Sequence, residues 1–171
     1  ENVNSASVDV RLGNWIVRQR NDPGTALLNP WNEASSSMLW ERPAQCPRVG
    51  ELLTVKHHLS RAHFAPFGPD QKVLLLAPGE CVLAHTAEEI GGLDLRIVCK
   101  LQARSSIGRS NVTICADAGW GDVGYHSRWT LEIHNRNPHS WVVIPCGARV
   151  AQVIFHEGGP VDPADMYGAS G

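Results

Sequence analysis

A chain of 171 residues carrying 15 Lys and Arg against 17 Asp and Glu, for a net charge of −2, is long enough for one domain with a single substantial core, expected to run over 1–171. That near-balance excludes the broad cationic field with which nucleic-acid binders displace counterions, and leaves room for a small basic pocket. Five isolated cysteines, odd in number and without a C-x-x-C pair, argue against a disulfide framework and for a reducing cytoplasm. No apolar run reaches the about 18 residues that cross a bilayer, so no membrane partner is expected. The start at Glu1, without Met and without a charged-then-apolar leader, reads as trimmed or as lying inside a longer chain.

Eleven Pro and sixteen Gly are scattered among short segments rich in Val, Ile, Leu and Trp, which predicts an all-β domain with little helix. Val8, Val10 and Leu12 alternate with polar residues ahead of Gly13-Asn14, as in a half-buried strand. Residues 29–71 break the rhythm: Pro30, Ser35 to Ser37, Pro43, Pro47, Pro66 and Pro69 interrupt irregular apolar positions, which predicts a loop-rich insertion with a short strand at 52–55. His57, His58 and His63 fall there at spacings that fit no familiar metal site and are expected at the surface. Further strands are predicted at 72–77, 81–85, 93–101, 111–116, 128–135, 140–144 and 149–156, with turns at Pro78-Gly79-Glu80, Asn135 to Pro138 and Pro145-Cys146-Gly147. This is the rhythm of a meander or jelly roll, ending in a tail over 160–171 that is expected to be mobile. Trp15, Trp31, Trp40, Trp129 and Trp141 are expected in the core or at subunit contacts.

Two segments carry chemistry. Arg104-Ser105-Ser106-Ile107-Gly108-Arg109 follows an apolar strand and sets two cations and two hydroxyls in one short turn. A serine capping a helical turn there would leave N–H groups facing an anion, with Arg104 and Arg109 adding charge-assisted hydrogen bonds. A solvated surface turn is the competing reading. The second segment, Ala118-Gly119-Trp120-Gly121-Asp122-Val123-Gly124-Tyr125, leads into Trp129 to Asn135 and holds the acids Asp122 and Glu132. On a strand, Thr130, Glu132 and His134 share the face opposite Trp129, Leu131 and Ile133. Flanked by Leu131 and Ile133, Glu132 is expected to be partly desolvated, which raises a carboxyl pKa and suits it to shuttle protons. A solvent-facing glutamate is the alternative.

Three further segments extend the pattern. Val3-Asn4-Ser5-Ala6-Ser7-Val8-Asp9-Val10-Arg11-Leu12-Gly13 resembles N-P-A-S-x-D-[LV]-R-L-G, Leu75 to Ala84 resembles an L-x-P-G-E-x-x-L-A hairpin, and Gly147 to Phe155 resembles a G-x-[RK]-I-[AG]-Q-L-x-F strand. In this order, with the two segments above, the chain resembles the dCTP deaminase and dUTPase superfamily from Val3 to Phe155. The resemblance implies a distorted jelly-roll β-barrel of the dUTPase-like type, dCTP and dUTP as substrates, dTTP as a candidate inhibitor, and a homotrimer with shared active sites. It also implies that Arg104, Ser105 and Ser106 bind the triphosphate, that Ser105 and Arg109 help hold the catalytic water and the carboxylate, and that Glu132 is the acid/base of deamination. Asp122 would lie near the sugar and, in members that split triphosphates, orient hydrolytic water. Ala118 would lend backbone groups to the base, Tyr125 would pack by the deoxyribose, Gln152 would reach the phosphates, and Trp120 lies inside the same substrate motif. Mg²⁺ would arrive on phosphate oxygens. Zinc is not expected, because the deaminases that build a metal hydroxide need H-x-E and P-C-x-x-C, and this sequence has neither.

The resemblance leaves several outcomes open: dCTP to dUTP, the same step followed by pyrophosphate release to dUMP, dUTP pyrophosphatase activity alone, or an inactive nucleotide-binding module. Ala103 stands where relatives carry Gly before R-S-S, and Ser127 where they carry Gly after Tyr-x. Gly121 replaces a bulky apolar residue beside the base, which predicts an enlarged base pocket open to modified pyrimidines. Relatives close the site with a C-terminal K-Y-x-x-Q or glycine-rich arm, a pattern not met before Gly171.

Overall fold

A computed structural model describes residues 3–4, 6–20, 24, 27–91 and 96–169. Ser5 of the opening motif, the start of the strand expected at 93–101 and the last residues of the tail, 170–171, lie outside the described residues. The chain is built from antiparallel strands. A four-stranded sheet runs β1 (Val8–Arg11), β11 (Arg149–Glu157), β6 (Ile97–Ala103), β8 (Trp120–Gly121). A five-stranded sheet runs β3 (Ala44–Gln45), β2 (Trp15–Arg18), β5 (Cys81–Gly91), β9 (His126–Asn135), β7 (Val112–Ile114). A third pair joins β10 (Val142–Pro145) to β4 (Val73–Leu76). The all-β expectation holds. β2 and β8 escaped the alternation search because each is short and begins at an exposed tryptophan.

Leu12, Leu101, Leu131, Ile133, Val150 and Val153 are among the residues that close the main core between the sheets. β4 explains the segment over 29–71. All four of its residues are buried, Leu74 and Leu76 in the main core, Val73 and Leu75 in a second cluster with Val49, Leu52 and Phe64. A strand has two faces, so both must be covered for this to happen. The insertion supplies the second cover.

It does so with helix where a strand over 52–55 was expected. After α1 (Glu33–Met38), α2 spans Val49–Val55, and a 3-10 turn at Arg61–Phe64 follows. Val49, Leu52 and Leu53 fall at helical spacing, which brings all three to one side; a strand would send the two leucines to opposite faces. Glu51 accepts from the Arg48 N–H at 2.8 Å, which settles the first turn. The Nδ1 of His63 accepts from the Ser60 N–H at 2.9 Å, so this histidine caps a turn.

The described part of the tail carries local structure. Asp162 accepts from Ala164 N at 2.9 Å and starts a 3-10 turn at Pro163–Asp165. Tyr167 then donates its N–H to Val123 O at 2.9 Å, which ties the segment to the body. Of the tryptophans, Trp129 is core, whereas Trp15, Trp31, Trp120 and Trp141 are exposed, Trp31 by 92%.

Candidate functional site

The chain leaves β6 at Arg104, whose N–H donates to Val150 O at 3.0 Å, and turns into the five-residue α3 (Ser105–Arg109). Ile107 packs against the core and holds this turn down, leaving Ser105, Ser106 and Arg109 exposed around it. Arg109 Nη2 donates to Ser105 Oγ at 3.4 Å. The expected serine cap does not form, because Arg104 occupies the N-cap position and gives no side-chain cap bond. Its guanidinium is engaged elsewhere. It pairs with Asp9, a carboxylate only 1% exposed, which also takes Arg149 Nη1 at 3.2 Å and Asn4 Nδ2 at 3.2 Å.

Asp9 is therefore the hub that sequence alternation missed. With Val8, Val10 and Leu12 assigned inward, Asp9 should face water; instead both Asp9 and Val10 are buried, and the register shifts between Val10 and Arg11. A useful signal was present in the sequence, namely an acid inside an apolar strand with arginines elsewhere in need of an anion. Asp9 lies opposite Gln152 of β11, and Gln152 Nε2 donates to Ser7 Oγ at 3.2 Å. One buried charge thus joins the opening motif, the arginine turn and the last strand. A guanidinium has five N–H donors, so Arg104 held by Asp9 keeps others for an anion outside.

The second segment is anchored by close backbone approach. Leu101 N donates to Gly119 O at 2.7 Å, and a Cβ on Gly119 would lie 2.5 Å from Leu101 O, so this position requires glycine. Beside it Ala118, Trp120 and Asp122 are exposed, with Trp120 Nε1 donating to Asp122 Oδ1 at 2.9 Å. Tyr125 is half-buried, its ring 5.0 Å from Trp129 and 5.4 Å from Tyr167. Burial pushes its phenol upward, with Tyr167 adding to the effect.

Gly121 corrects an expectation. It is buried, and a Cβ there would meet Cys99 Sγ at 2.6 Å and the Trp129 ring at 2.9 Å. The missing side chain is filled by Cys99 and Trp129 from within the chain. No enlarged base pocket results at this position.

Glu132 projects from β9 opposite Leu83 of β5. Trp129, Leu131 and Ile133 are buried on the other face, as expected, while Glu132 itself is exposed. The expected desolvation is thus not met within the chain, because this face of the sheet points away from the core. Among the described residues its carboxylate has no hydrogen bond or ion pair, and none to Arg104, Ser105 or Arg109. The strand beneath it is firmly held: Asn135, fully buried, donates through Nδ2 to Ala77 O at 2.9 Å and Ser140 O at 2.8 Å. Cys115 N donates to Glu132 O at 3.0 Å. Burial pushes the Cys115 thiol up to about 11, and the Glu132 charge adds to that rise. Burial likewise raises the Cys81 thiol, with Glu132 second.

Among the described residues no three His, Cys, Asp or Glu side chains come together as a metal site, and no helix is long and apolar enough to cross a membrane.

Residues 1–158 match the family model described as dCTP deaminase-like. A protein of Methanopyrus kandleri named "dCTP deaminase, dUMP-forming" is 40% identical over 89 residues, 51% of this chain and 45% of that protein. One of the same name from Dictyoglomus thermophilum is 27% identical over 155 residues, 91% of this chain and 66% of that protein. A "dCTP deaminase" of Halorubrum lacusprofundi is 29% identical over 157 residues, 92% of this chain and 64% of that protein. The chain spans about half to two thirds of the length of these relatives. The crystal structure of 2'-deoxycytidine 5'-triphosphate deaminase from Agrobacterium tumefaciens superposes with a TM-score of 0.55 at 20% identity, covering 92% of this chain and 41% of that one. That likeness is one of fold, and it agrees with the jelly-roll architecture expected.

Proposed function

The chain belongs to the dCTP deaminase-like family, and from that premise we propose that it deaminates dCTP and releases pyrophosphate to leave dUMP. The observation that carries the proposal is the Asp9 hub beneath the arginine turn: a buried carboxylate holding Arg104 and Arg149 pre-sets a cationic edge for a triphosphate. The names of the Methanopyrus and Dictyoglomus relatives favour the dUMP-forming outcome over release of dUTP.

In this reading Arg104, Ser105 and Ser106 grip the phosphates, Gln152 reaches them from β11, and Ala118, Trp120 and Tyr125 border the base and deoxyribose. Water adds to C4 of the cytosine while Glu132 takes its proton. The same carboxyl passes that proton to N3, then takes the proton of the new C4 hydroxyl and delivers it to the amine, so the C4–N bond breaks, ammonia leaves and a C4 carbonyl remains. Ser105 and Arg109 hold the water and the carboxylate. A second water, oriented by Asp122, attacks the α-phosphorus and breaks its bond to the bridging oxygen, so pyrophosphate departs. Mg²⁺ belongs to the substrate here: the described residues offer it no cage, and on phosphate oxygens it would offset their charge.

Glu132 is open in the single chain, so a neighbouring copy would complete the site, in a homotrimer with shared sites. Contact with that copy and the bound base would take the Glu132 carboxyl out of bulk water, as acid/base work needs. The five free thiols favour a cytoplasmic setting, and dTTP stands as a candidate inhibitor. The test is separation of dUTP, dUMP and dCMP after incubation with dCTP or dUTP. Wild type gives dUMP from both; Glu132→Ala loses deamination by about 10²- to 10⁴-fold; Asp122→Ala accumulates dUTP from dCTP. Formation of dCMP alone overturns the deaminase reading, and full-rate deamination by Glu132→Ala overturns the role of that residue.

A further inference from the structure

Of the five cysteines, two lie together, and neither belongs to the residues assigned to the nucleotide site. Cys46 sits between β3 and α2, and Cys146 lies in the turn between β10 and β11. Two backbone segments bracket them. Cys46 N donates to Asn14 O at 2.8 Å, and Gly147 N, beside Cys146, donates to Leu12 O at 2.8 Å. On the other side Cys146 N donates to Lys72 O at 2.9 Å, and Val73 N donates to Pro47 O at 3.0 Å, next to Cys46. Residues 100 positions apart are thus clipped to the same two short stretches, and Cys146 packs against the core cluster that contains Cys46.

The backbone clips make the two thiols neighbours, and they differ in exposure, Cys46 being buried and Cys146 half-buried. The neighbouring Cys146 thiol, with burial, pushes the Cys46 thiol up. The neighbouring Cys46 thiol, helped by the Lys72 charge, pulls the Cys146 thiol down against the effect of burial. The other three thiols lack this arrangement: Cys99 donates to Gly121 O, Cys115 donates to Thr130 O at 3.3 Å, and burial raises Cys81. A partly exposed thiol held next to a second thiol is the arrangement that peroxide converts to a disulfide.

We propose that Cys146 and Cys46 form a peroxide-sensitive dithiol, Cys146 as the attacking sulfur and Cys46 as the resolving one. The Cys146 thiolate attacks one oxygen of hydrogen peroxide, the O–O bond breaks, and Cys146 becomes a sulfenic acid as hydroxide leaves and is protonated to water. Cys46 then attacks that sulfur, the S–O bond breaks, and a second water carries off the Cys46 proton. Sulfur is oxidised by two electrons and peroxide reduced by two. The product joins the entry to α2 to the turn that precedes Arg149, closing a long loop in the unfolded chain.

The test is peroxide titration of the reduced protein, followed by intact mass and by tryptic mapping under non-reducing conditions. The expected result is loss of two hydrogens, a single linked pair containing Cys46 and Cys146, reversal by dithiothreitol, and an upward shift of several degrees in the melting temperature of the oxidised form. Cys46→Ser should halt at a Cys146 sulfenic acid trapped by dimedone, and Cys146→Ser should leave Cys46 reduced. The proposal is overturned if Cys146 goes to the sulfinic acid while Cys46 stays a thiol, if either links to a different cysteine, or if both stay reduced when Cys81 is oxidised. None of these readouts depends on the nucleotide activity.

Discussion

The two halves of the candidate site are finished to different degrees. Around Arg104 the chain supplies its own counter-charge: Asp9, 1% exposed, holds two guanidiniums and the Asn4 amide, and the opening motif, α3 and β11 meet on it. Around Glu132 it supplies a rigid strand and leaves the carboxylate, among the described residues, without a partner on an exposed sheet face. Under the proposed function the difference would follow from when each group must be charged and fixed. An arginine that grips phosphate can be set in place before substrate arrives, because its charge is permanent. A carboxyl that shuttles protons works only once something covers it.

Four changes would break or sharpen that contrast. Asp9→Ala has the largest expected effect, since it removes the shared partner of Arg104 and Arg149. The two arginines are half-exposed and recover some hydration, so the loss of stability should be about 3 kcal/mol, read by urea unfolding. In the same variant the KM for the nucleotide should rise at least about tenfold, because a loosened Arg104 costs a charge-assisted bond. An unchanged KM would separate Asp9 from the arginine turn.

The next effect is on pH dependence. The Cys115 thiol is held up to about 11 in the fold against an ordinary value of 9.0. The folded state binds the extra proton between these values, so stability is whole below pH 9 and declines as pH rises through about 11. The full swing is of order 2 kcal/mol. Melting temperatures across that range should fall less steeply in Cys115→Ala than in the wild type; an identical slope would remove the thiol as the cause.

Gly121→Ala should cost about 1–3 kcal/mol by overpacking against Cys99 and Trp129. Thermal melts check the loss, and a variant as stable as the parent would reopen the enlarged base pocket that the structure closes. The smallest effect belongs to the tail. Tyr167→Ala removes the edge contact with Tyr125 and should cost about 1 kcal/mol. Faster amide exchange at Tyr125 would report the tail's hold on the substrate motif.

Much was legible in advance because it rests on local pattern. The strands at 72–77, 128–135 and 149–156 lie close to β4, β9 and β11, since period-2 alternation and turn residues act within a few positions. The burial of Trp129, Leu131 and Ile133, with Glu132 outward, follows from the same geometry. The helix over Val49–Val55 was not legible, because Leu52 and Leu53 bury together only against Val73 and Leu75 of β4, a distant strand. Asp9 and Asn135 were missed for a related reason: a buried polar group is explained by its partners, and those partners lie far away in the chain.

The sequence by itself determined the strand-rich architecture, the motif order from Val3 to Phe155 and the side of β9 on which Glu132 stands, all consequences of side-chain spacing along one strand or turn. Only the tertiary structure decided that Asp9 is buried under two arginines, that Gly121 is filled by Cys99 and Trp129, and that Cys46 and Cys146 are clipped to the same short stretches. These are contacts between residues far apart in the chain, and their energies depend on burial and mutual distance, quantities that exist only once the sheets have closed.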